Sequence, residues 1–137
     1  MNVMIKRAIN GQPITIYGDG KYIRDYIYIE DVSRAFISAY LKIDRINGNY
    51  YMIGSGNGIT IADAFKFIAI RVEYKTGRKV IIEYLSQSIS LLPIEERNYV
   101  SNIQKFNKHT GWKPIYSLVE GIDLTIESIL REKCELL

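Results

Sequence analysis

Several residue types that build common functional sites are scarce in this chain. The 137-residue sequence contains one cysteine, Cys134, and one histidine, His109. A single cysteine excludes an intramolecular disulfide, and one Cys with one His is too few for a zinc cluster. No apolar run approaches the roughly 20 residues that a membrane-spanning helix needs, and the first residues lack the features of a signal peptide. We therefore expect a cytoplasmic protein without a metal site.

The charge is small and mixed in sign. The chain has 18 Lys and Arg residues and 15 Asp and Glu residues, which gives a net charge of +3 at pH 7. Basic residues are scattered among acidic ones, which is typical of a solvated surface and argues against a nucleic-acid groove. Apolar residues make up 47% of the chain and charged residues 24%, as in ordinary globular domains. We expect one domain over residues 1–137, with neither nucleic acid nor membrane as a partner.

Hydrophobic spacing and capping residues predict helices that alternate with short strands. The pattern predicts the tail of a helix at 3–10 and helices at 30–42, 60–76, 102–110 and 117–132. Glycines follow three of these segments, and a capping box opens the last one at Ser117 and Glu120. The predicted strands cover residues 14–17, 26–29, 49–53, 79–84 and 98–101, and residues 87–92 are expected to be irregular. The fold class is therefore α/β, a small mixed domain of three to four helices with short strands.

Two glycine-rich segments begin like a dinucleotide-binding loop. The segments 18–23 and 54–59 each have isoleucine where the last glycine of the G-x-G-x-x-G fingerprint should stand. Neither lies at a strand-to-helix turn, so we expect neither to bind NAD. The Gly18-Asp-Gly20 turn has two interpretations, a hairpin bend between two strands or a close approach of the backbone to a ligand.

Two long segments carry a specific resemblance. Residues 13–32 read P-I-T-I-Y-G-D-G-K-Y-I-R-D-Y-I-Y-I-E-D-V, and residues 96–114 read E-R-N-Y-V-S-N-I-Q-K-F-N-K-H-T-G-W-K-P. In this order they resemble the C-terminal, sugar-nucleotide-binding part of the NAD-dependent epimerase/dehydratase family. These enzymes are extended short-chain dehydrogenase/reductases, such as UDP-glucose 4-epimerases and dTDP-glucose 4,6-dehydratases. Met52 replaces the asparagine usual in the family's Y-N-I-G motif.

The resemblance implies a substrate lobe separated from its catalytic half. In the family, an N-terminal Rossmann domain carries the NAD loop, the Tyr-x-x-x-Lys base and a Ser or Thr, and we expect this domain to be absent here. The chain is then a truncated substrate-binding fragment, inactive alone, with NAD belonging to the intact enzyme. An epimerase (an isomerase) is favoured; a 4,6-dehydratase fragment or an inert binding module is the alternative. The implied partners are a nucleoside-diphosphate sugar and either a second copy of the chain or the missing Rossmann half.

Two arginines match the family positions that hold the nucleotide diphosphate. By resemblance, Arg24 and Arg97 bind the phosphates, where a guanidinium fork makes charge-assisted hydrogen bonds to phosphate oxygens. Two arginines from distant segments would balance a charge of roughly −2 on the diphosphate. The alternatives are salt bridges, of Arg24 to Asp19 or Asp25 and of Arg97 to Glu95 or Glu96.

Three further residues match the family's nucleoside pocket. Thr15 and Tyr17 fall where the pocket wall is built, and a tyrosine ring can stack on a uracil or thymine. Asn57 matches a position that hydrogen-bonds the base or ribose, for which a two-way amide is suited. The alternatives are plain strand residues for Thr15 and Tyr17 and a turn-forming role for Asn57.

Two aspartates and several apolar residues have structural interpretations. Asp25 is expected to bind backbone near the bend, and Asp31, or its neighbour Glu30, to cap the following helix. Without a Rossmann domain, apolar surface should be uncovered and favour a two-fold dimer. The residues expected on that surface are Ile14, Ile16, Tyr26, Tyr28 and the helix at 3–10.

Overall fold

Six helices and four short strands follow one another along residues 1–86 and 96–135, the part of the chain that the computed structural model describes. In chain order they are α1 Asn2–Ile9, β1 Ile14–Tyr17, β2 Ile23–Asp25, α2 Ile29–Leu41, α3 Ile43–Ile46, β3 Gly58–Thr60, α4 Ile61–Thr76, β4 Ile82–Leu85, α5 Gln104–Thr110 and α6 Leu118–Glu135. The predicted α/β class is confirmed, although the helices outnumber the three to four expected. Within these ranges, no helix has the length and apolar character needed to span a membrane. The segment predicted to be irregular, 87–92, lies outside the described residues.

Local capping chemistry sets the ends of the long helices as predicted. The Thr60 hydroxyl accepts a hydrogen bond from the Asp63 amide at 3.1 Å at the start of α4, and Gly77 ends that helix at φ +68°. At the start of α6, the Glu120 carboxylate accepts from the Ser117 amide at 2.7 Å, and the Ser117 hydroxyl accepts from the Glu120 amide at 3.2 Å. These contacts satisfy backbone groups that a helix end leaves unpaired.

The strands form two separate two-stranded sheets. Strand β1 pairs in parallel with β4, and β2 pairs antiparallel with β3. The Gly18–Gly20 turn therefore joins strands of different sheets, and its interpretation as a hairpin bend is wrong. Glycine is required at Gly20 because its φ is +66° and a Cβ there would lie 2.9 Å from the side chain of Ile16 and 3.0 Å from that of Ala62.

The larger core lies between α1, α4, α6 and β1. Its buried residues are Ile5, Ala8, Ile9, Ile14, Ile16, Ala64, Phe65, Ile68, Ala69, Val72, Val80, Ile122, Ile126 and Ile129. Ile14 and Ile16 are 0% and 1% exposed, and Tyr26 and Tyr28 are partly buried. The expectation that these residues form an uncovered apolar surface is therefore wrong, because the helices of the chain itself cover β1.

A smaller core joins α2, α3 and α5 through Ala35, Ile46, Phe106 and Trp112. Asp31 is fully buried beside it, and its carboxylate accepts from the amides of Ile115 and Tyr116, each at 3.1 Å. Arg34 Nη1 donates to the same carboxylate at 2.7 Å, and the indole of Trp112 donates to the Asp31 carbonyl at 3.1 Å. Asp31 is structural as predicted, but it does not cap α2, which begins after Tyr28 without a side-chain cap. It fixes α2 to a segment 84 residues further along the chain.

Three predicted strands are not strands. The second strand lies at β2, three residues before the predicted 26–29, and residues 49–53 and 98–101 form no ladder in the described part of the chain. Segment 49–53 is held by side chains of α5 instead: Lys105 Nζ donates to Asn49 Oδ1 at 3.0 Å, and the Tyr51 hydroxyl lies 2.6 Å from His109 Nδ1. A segment rich in strand-forming residues forms no ladder when no second strand lies beside it. The imidazole of His109 is thus in contact with Tyr51.

Candidate functional site

Strand β2 is the meeting point of segments that are distant in sequence. On one edge it pairs with β3, where Arg24 lies opposite Ile59. On the other edge runs segment 97–101: the Tyr99 amide donates to the Ile23 carbonyl at 3.1 Å, and the Asn98 side chain accepts from the Ile23 amide at 2.8 Å. The two edges together bring residues from three parts of the chain around β2.

The Asp25 carboxylate fastens these segments together. It accepts hydrogen bonds from the Ser55 amide at 2.8 Å, the Ser55 hydroxyl at 2.5 Å, the Gly56 amide at 3.2 Å and the Ser101 amide at 3.0 Å. Burial by itself raises the pKa of Asp25, but the hydrogen bonds from Ser55 and Ser101 more than offset it, so the pKa lies below its ordinary value. Gly54 must be glycine here, because a Cβ would collide with the side chains of Ser101 and Asp25. The predicted structural role of Asp25 is confirmed, but the described partners of its carboxylate lie on distant loops and not near the bend.

The two predicted phosphate-binding arginines meet beside this anchor. Arg24 Nη1 donates to the carbonyl oxygens of Ile23, at 2.9 Å, and of Arg97. The guanidinium of Arg97 lies 5.4 Å from the centroid of the Tyr99 ring, within the range of a cation–π contact. Arg24 also affects Tyr26: burial raises the pKa of the Tyr26 hydroxyl, and the positive charge of Arg24 opposes that shift.

The acidic partners proposed as alternatives for these arginines have other contacts. Asp19 Oδ2 lies 3.4 Å from Lys21 Nζ, and the Asp25 carboxylate is bound by the donors described above. Glu95, one alternative partner of Arg97, lies outside the described residues. Within the residues that are described, Arg97 makes no ion pair with Glu96.

Asn57 lies close to the same anchor but is bound within its own loop. It precedes Gly58, which pairs with Asp25 across the β2–β3 ladder. Its side-chain Nδ2 donates to the Ser55 carbonyl at 3.2 Å, and its amide donates to the Ser55 hydroxyl at 3.1 Å. This geometry is that of a turn-forming asparagine.

Thr15 and Tyr17 lie on the other sheet. The Thr15 side chain is 7% exposed, and its hydroxyl accepts from Arg7 Nη1 at 3.2 Å. Tyr17, at the end of β1, is 62% exposed. The structure thus groups Arg24, Asn57 and Arg97 around β2, while Thr15 and Tyr17 stand on β1 beyond the Gly18–Gly20 turn.

Neither glycine-rich loop has the position of an NAD-binding loop. The loop at 18–20 leads into β2 and the loop at 54–57 leads into β3, whereas a dinucleotide loop must open a helix whose amides face the pyrophosphate. One Tyr-x-x-x-Lys spacing does occur, at Tyr17 and Lys21, contrary to the expectation that this motif is missing. These two residues lie on either side of the Gly18–Gly20 turn and not on a helix, and Lys21 forms an ion pair with Asp19. They therefore do not form the catalytic pair in which a helix holds the lysine beside the tyrosine hydroxyl.

Sequence reasoning missed the residues that support the two arginines. Tyr99 and Asn98 were assigned only to a short strand, yet they contact Arg97 and the backbone of β2. The signal for Tyr99 was its spacing, since alternate residues of an extended segment lie on one face and Tyr99 is two positions after Arg97. No sequence signal pointed to Asn98 or Ser101.

Comparisons with known proteins agree on one family. The model of the NAD dependent epimerase/dehydratase family matches residues 1–54. A dTDP-glucose 4,6-dehydratase of Neisseria gonorrhoeae is 28% identical over 135 residues, covering 96% of this chain and 38% of that protein. The corresponding enzyme of Salmonella typhimurium is 31% identical over 132 residues, covering 91% and 34%. The structure of a UDP-glucose 4-epimerase with UDP-glucose from Thermotoga maritima matches with a TM-score of 0.77 at 27% identity, covering 96% of this chain and 39% of that one.

The fold is that of part of an extended short-chain dehydrogenase/reductase. The comparisons support membership of the NAD-dependent epimerase/dehydratase family, as the sequence motifs indicated. It spans about 38% of the length of the first curated relative that it matches.

Proposed function

We propose that this chain is the substrate-binding fragment of a nucleotide-sugar epimerase and holds the diphosphate of the sugar nucleotide through Arg24 and Arg97. The observation that supports this most is the hydrogen bond from Arg24 Nη1 to the Arg97 carbonyl, which joins two segments 73 residues apart. Two cationic side chains placed together offset the charge of a diphosphate, and each makes charge-assisted hydrogen bonds.

Both arginines are held by protein groups, which favours ligand binding. The guanidinium of Arg24 is oriented by two backbone carbonyls, and that of Arg97 lies on the Tyr99 ring. A side chain that is already oriented loses less entropy when it binds an anion. The Asp25 carboxylate fixes the backbone beneath the two arginines through the hydrogen bonds that it accepts from Ser55 and Ser101.

Tyr17 is the best candidate for the nucleoside side of the site. Its ring is 62% exposed at the end of β1, where it can stack on a pyrimidine ring. The side chains of Thr15 and Asn57 already make hydrogen bonds within the chain, with Arg7 and with the 54–57 loop respectively. We therefore place Tyr17 in the base pocket and assign Thr15 and Asn57 to the support of its walls.

Arg24 and Arg97, here called the diphosphate clamp, should bind a nucleoside diphosphate weakly and in a salt-sensitive manner. Isothermal titration calorimetry with UDP at low salt should give a dissociation constant of high micromolar or weaker, because the isolated site is open to water. Substitution of Arg97 by alanine should weaken binding by about tenfold or more, since a hydrogen bond to a charged group contributes roughly 1.5–3 kcal/mol. Added salt should weaken the binding further.

The controls separate a lost clamp from a damaged fold. Arg131→Ala removes a surface arginine on α6 and should leave UDP binding unchanged. Arg24→Lys keeps the charge of Arg24 but not its planar fork, and thermal melting shows whether the loss of its hydrogen bond to Arg97 disturbs the fold. If Arg97→Ala and Arg24→Lys both bind UDP as the unmodified chain does, the clamp assignment is wrong.

A dehydratase fragment is the second candidate, and the curated relatives favour it. Both relatives described above are named dTDP-glucose 4,6-dehydratase. A preference for dTDP over UDP in the same titration would favour this reading, and the reverse preference would favour the epimerase. Binding of neither nucleotide would leave an inert module as the remaining alternative.

The isolated chain is expected to convert no nucleotide sugar. Neither glycine-rich loop can place NAD, so no hydride acceptor is held beside the site, and Tyr17 lacks the helical lysine of a catalytic pair. Incubation of the pure 137-residue protein with NAD and a UDP- or dTDP-hexose, followed by chromatography of the sugar nucleotides, should return the starting material. Appearance of an epimer or a 4-keto product would contradict the proposal that this is a binding fragment.

A further inference from the structure

Three asparagine–glycine steps lie on the surface of the chain, at Asn10-Gly11, Asn47-Gly48 and Asn57-Gly58. An asparagine followed by glycine is prone to deamidation, because glycine has no Cβ to hinder the attack of its backbone nitrogen on the asparagine side chain. All six residues are exposed, so exposure does not distinguish the three steps. Their hydrogen bonds do differ, and these bonds decide which step is free to react.

The first step is held at the end of α1. The Gly11 amide, which would supply the attacking nitrogen, donates to the Ala8 carbonyl at 3.0 Å. The Asn10 side chain accepts a hydrogen bond from Lys133 Nζ through its Oδ1 atom. Both bonds must open before the nitrogen can reach the side chain, and each bond of ordinary strength lowers the reactive population roughly two- to tenfold.

The third step is held in the loop beside β2. Asn57 Nδ2 donates to the Ser55 carbonyl at 3.2 Å, and the Asn57 amide donates to the Ser55 hydroxyl at 3.1 Å. Gly58 belongs to β3, and a Cβ there would lie 2.6 Å from the side chain of Ile23 and 2.7 Å from that of Val100. The side chain is therefore bound, and the main chain has little room to rotate.

The second step occupies a tight turn between α3 and segment 49–53. Asn47 (φ −51°, ψ 142°) and Gly48 (φ +73°) have the angles of the two central residues of a type II turn. The Asn49 amide closes this turn by donating to the Ile46 carbonyl at 3.2 Å, so the Gly48 amide takes no part in the closing bond. Within residues 1–86 and 96–135, neither the Gly48 amide nor the Asn47 side chain makes a hydrogen bond.

We propose that Asn47 is a site of spontaneous deamidation, and the preferred one among the three steps. The Gly48 nitrogen gives its proton to the solvent and attacks Cγ of Asn47. A bond forms between that nitrogen and Cγ, the bond from Cγ to Nδ2 breaks, and the side-chain nitrogen takes up a proton and leaves as ammonia. Water then opens the cyclic imide at one of its two carbonyls. One opening gives aspartate, and the other gives isoaspartate, in which the main chain runs through Cγ.

The reaction changes both the charge and the main chain of this turn. Either product replaces a neutral amide with a carboxylate, and isoaspartate also lengthens the main chain between Ile46 and Asn49. Ile46 is buried in the smaller core, and Asn49 Oδ1 accepts from Lys105 Nζ at 3.0 Å. Because the turn joins these two fixed points, isoaspartate should lower the melting temperature more than aspartate does.

Mass spectrometry of the ageing protein tests the site. The pure chain is kept in mildly alkaline buffer, which promotes loss of the Gly48 proton, and samples are taken over weeks, denatured and digested. Chymotrypsin cleaves after Tyr50 and Tyr51 and so places Asn47 and Asn57 on separate peptides. The Asn47 peptide should be converted several-fold faster than the peptides that carry Asn10 and Asn57. An isoaspartyl methyltransferase with a labelled methyl donor should mark the same peptide.

Two controls separate the effect of the fold from that of the sequence. In concentrated urea the three steps lose their hydrogen bonds, and they should then react at similar rates. Asn47→Gln keeps an exposed amide at this position, but the longer side chain closes its ring slowly, so the folded variant should lose the fast conversion. Asn47→Asp carries the charge of the product and provides the chromatographic standard.

Any of three results would overturn the inference. The first is a folded chain in which Asn47 is not converted, or is converted no faster than Asn10 or Asn57. The second is the same order of rates in urea as in native buffer, which would show that the sequence and not the turn selects the site. The third is an unchanged fast conversion in Asn47→Gln. UDP binding by Asn47→Asp should match that of the unmodified chain, because Asn47 lies outside the diphosphate clamp.

Discussion

Replacement of Asp31 by alanine should lower the free energy of unfolding by about 3–5 kcal/mol, because it removes a fully buried carboxylate together with the hydrogen bonds that it accepts. The amides of Ile115 and Tyr116 would then be left without their acceptor, and each unsatisfied buried group costs roughly 1–3 kcal/mol. Urea unfolding can be followed by the fluorescence of Trp112, the single tryptophan, whose indole donates to the Asp31 backbone.

Two further variants identify which contact of Asp31 matters. Arg34→Ala removes an ion-pair partner that is 42% exposed, and it should cost at most about 1 kcal/mol. Asp31→Asn retains one acceptor oxygen and should lie between Arg34→Ala and Asp31→Ala. Equal losses for Arg34→Ala and Asp31→Ala would show that the ion pair, and not the backbone anchor, is what stabilises this region.

Asp25→Ala is expected to have the second-largest effect, about 3 kcal/mol, since it breaks four hydrogen bonds to a charged acceptor in a partly buried site. Loop 54–57 and segment 97–101 would both come loose from β2. Because Arg97 lies on that segment, UDP binding should weaken together with stability. Gly54→Ala offers an independent route to the same damage, since its Cβ would displace Asp25 and Ser101.

The free energy of unfolding should depend on the charge of Asp25 at acidic pH. Its pKa is lower in the folded protein than its ordinary value, so ionisation of Asp25 stabilises the fold above about pH 4. That stabilisation is lost as the pH falls through the lowered folded pKa. Asp25→Asn carries no titrating group, so its unfolding free energy should fall less steeply with acid than that of the unmodified chain. Identical acid profiles for the two proteins would contradict a role for the Asp25 charge.

Features governed by neighbours in sequence were predictable. Thr60 with Asp63, Ser117 with Glu120, and the left-handed glycines Gly77 and Gly111 mark helix ends by contacts within a few residues. The positions of Arg24 and Arg97 followed from motif matches, and the structure brings the two together.

Features set by distant partners were not predictable. Whether residues 49–53 pair as a strand depends on what lies beside them, and here the neighbour is the side chain of Lys105. Asp31 looked like a cap because it stands near a helix start, whereas its acceptor oxygens are taken by amides 84 and 85 positions away. The burial of Ile14 and Ile16 likewise depends on α4, which no local pattern assigns to them.

The parallel pairing of β1 with β4 has a consequence during synthesis. Ile14 pairs with Ile82, so β1 leaves the ribosome long before its partner strand exists, at a rate of roughly 5–20 residues per second. For those seconds an Ile-Thr-Ile-Tyr segment is available for pairing with any other nascent chain. Arg7, whose side chain later binds Thr15, and Lys6 are the only nearby charges that oppose such pairing among residues 1–17. Neutral replacements at these two positions should therefore lower the yield of soluble protein in cells more than they lower the melting temperature of the purified protein.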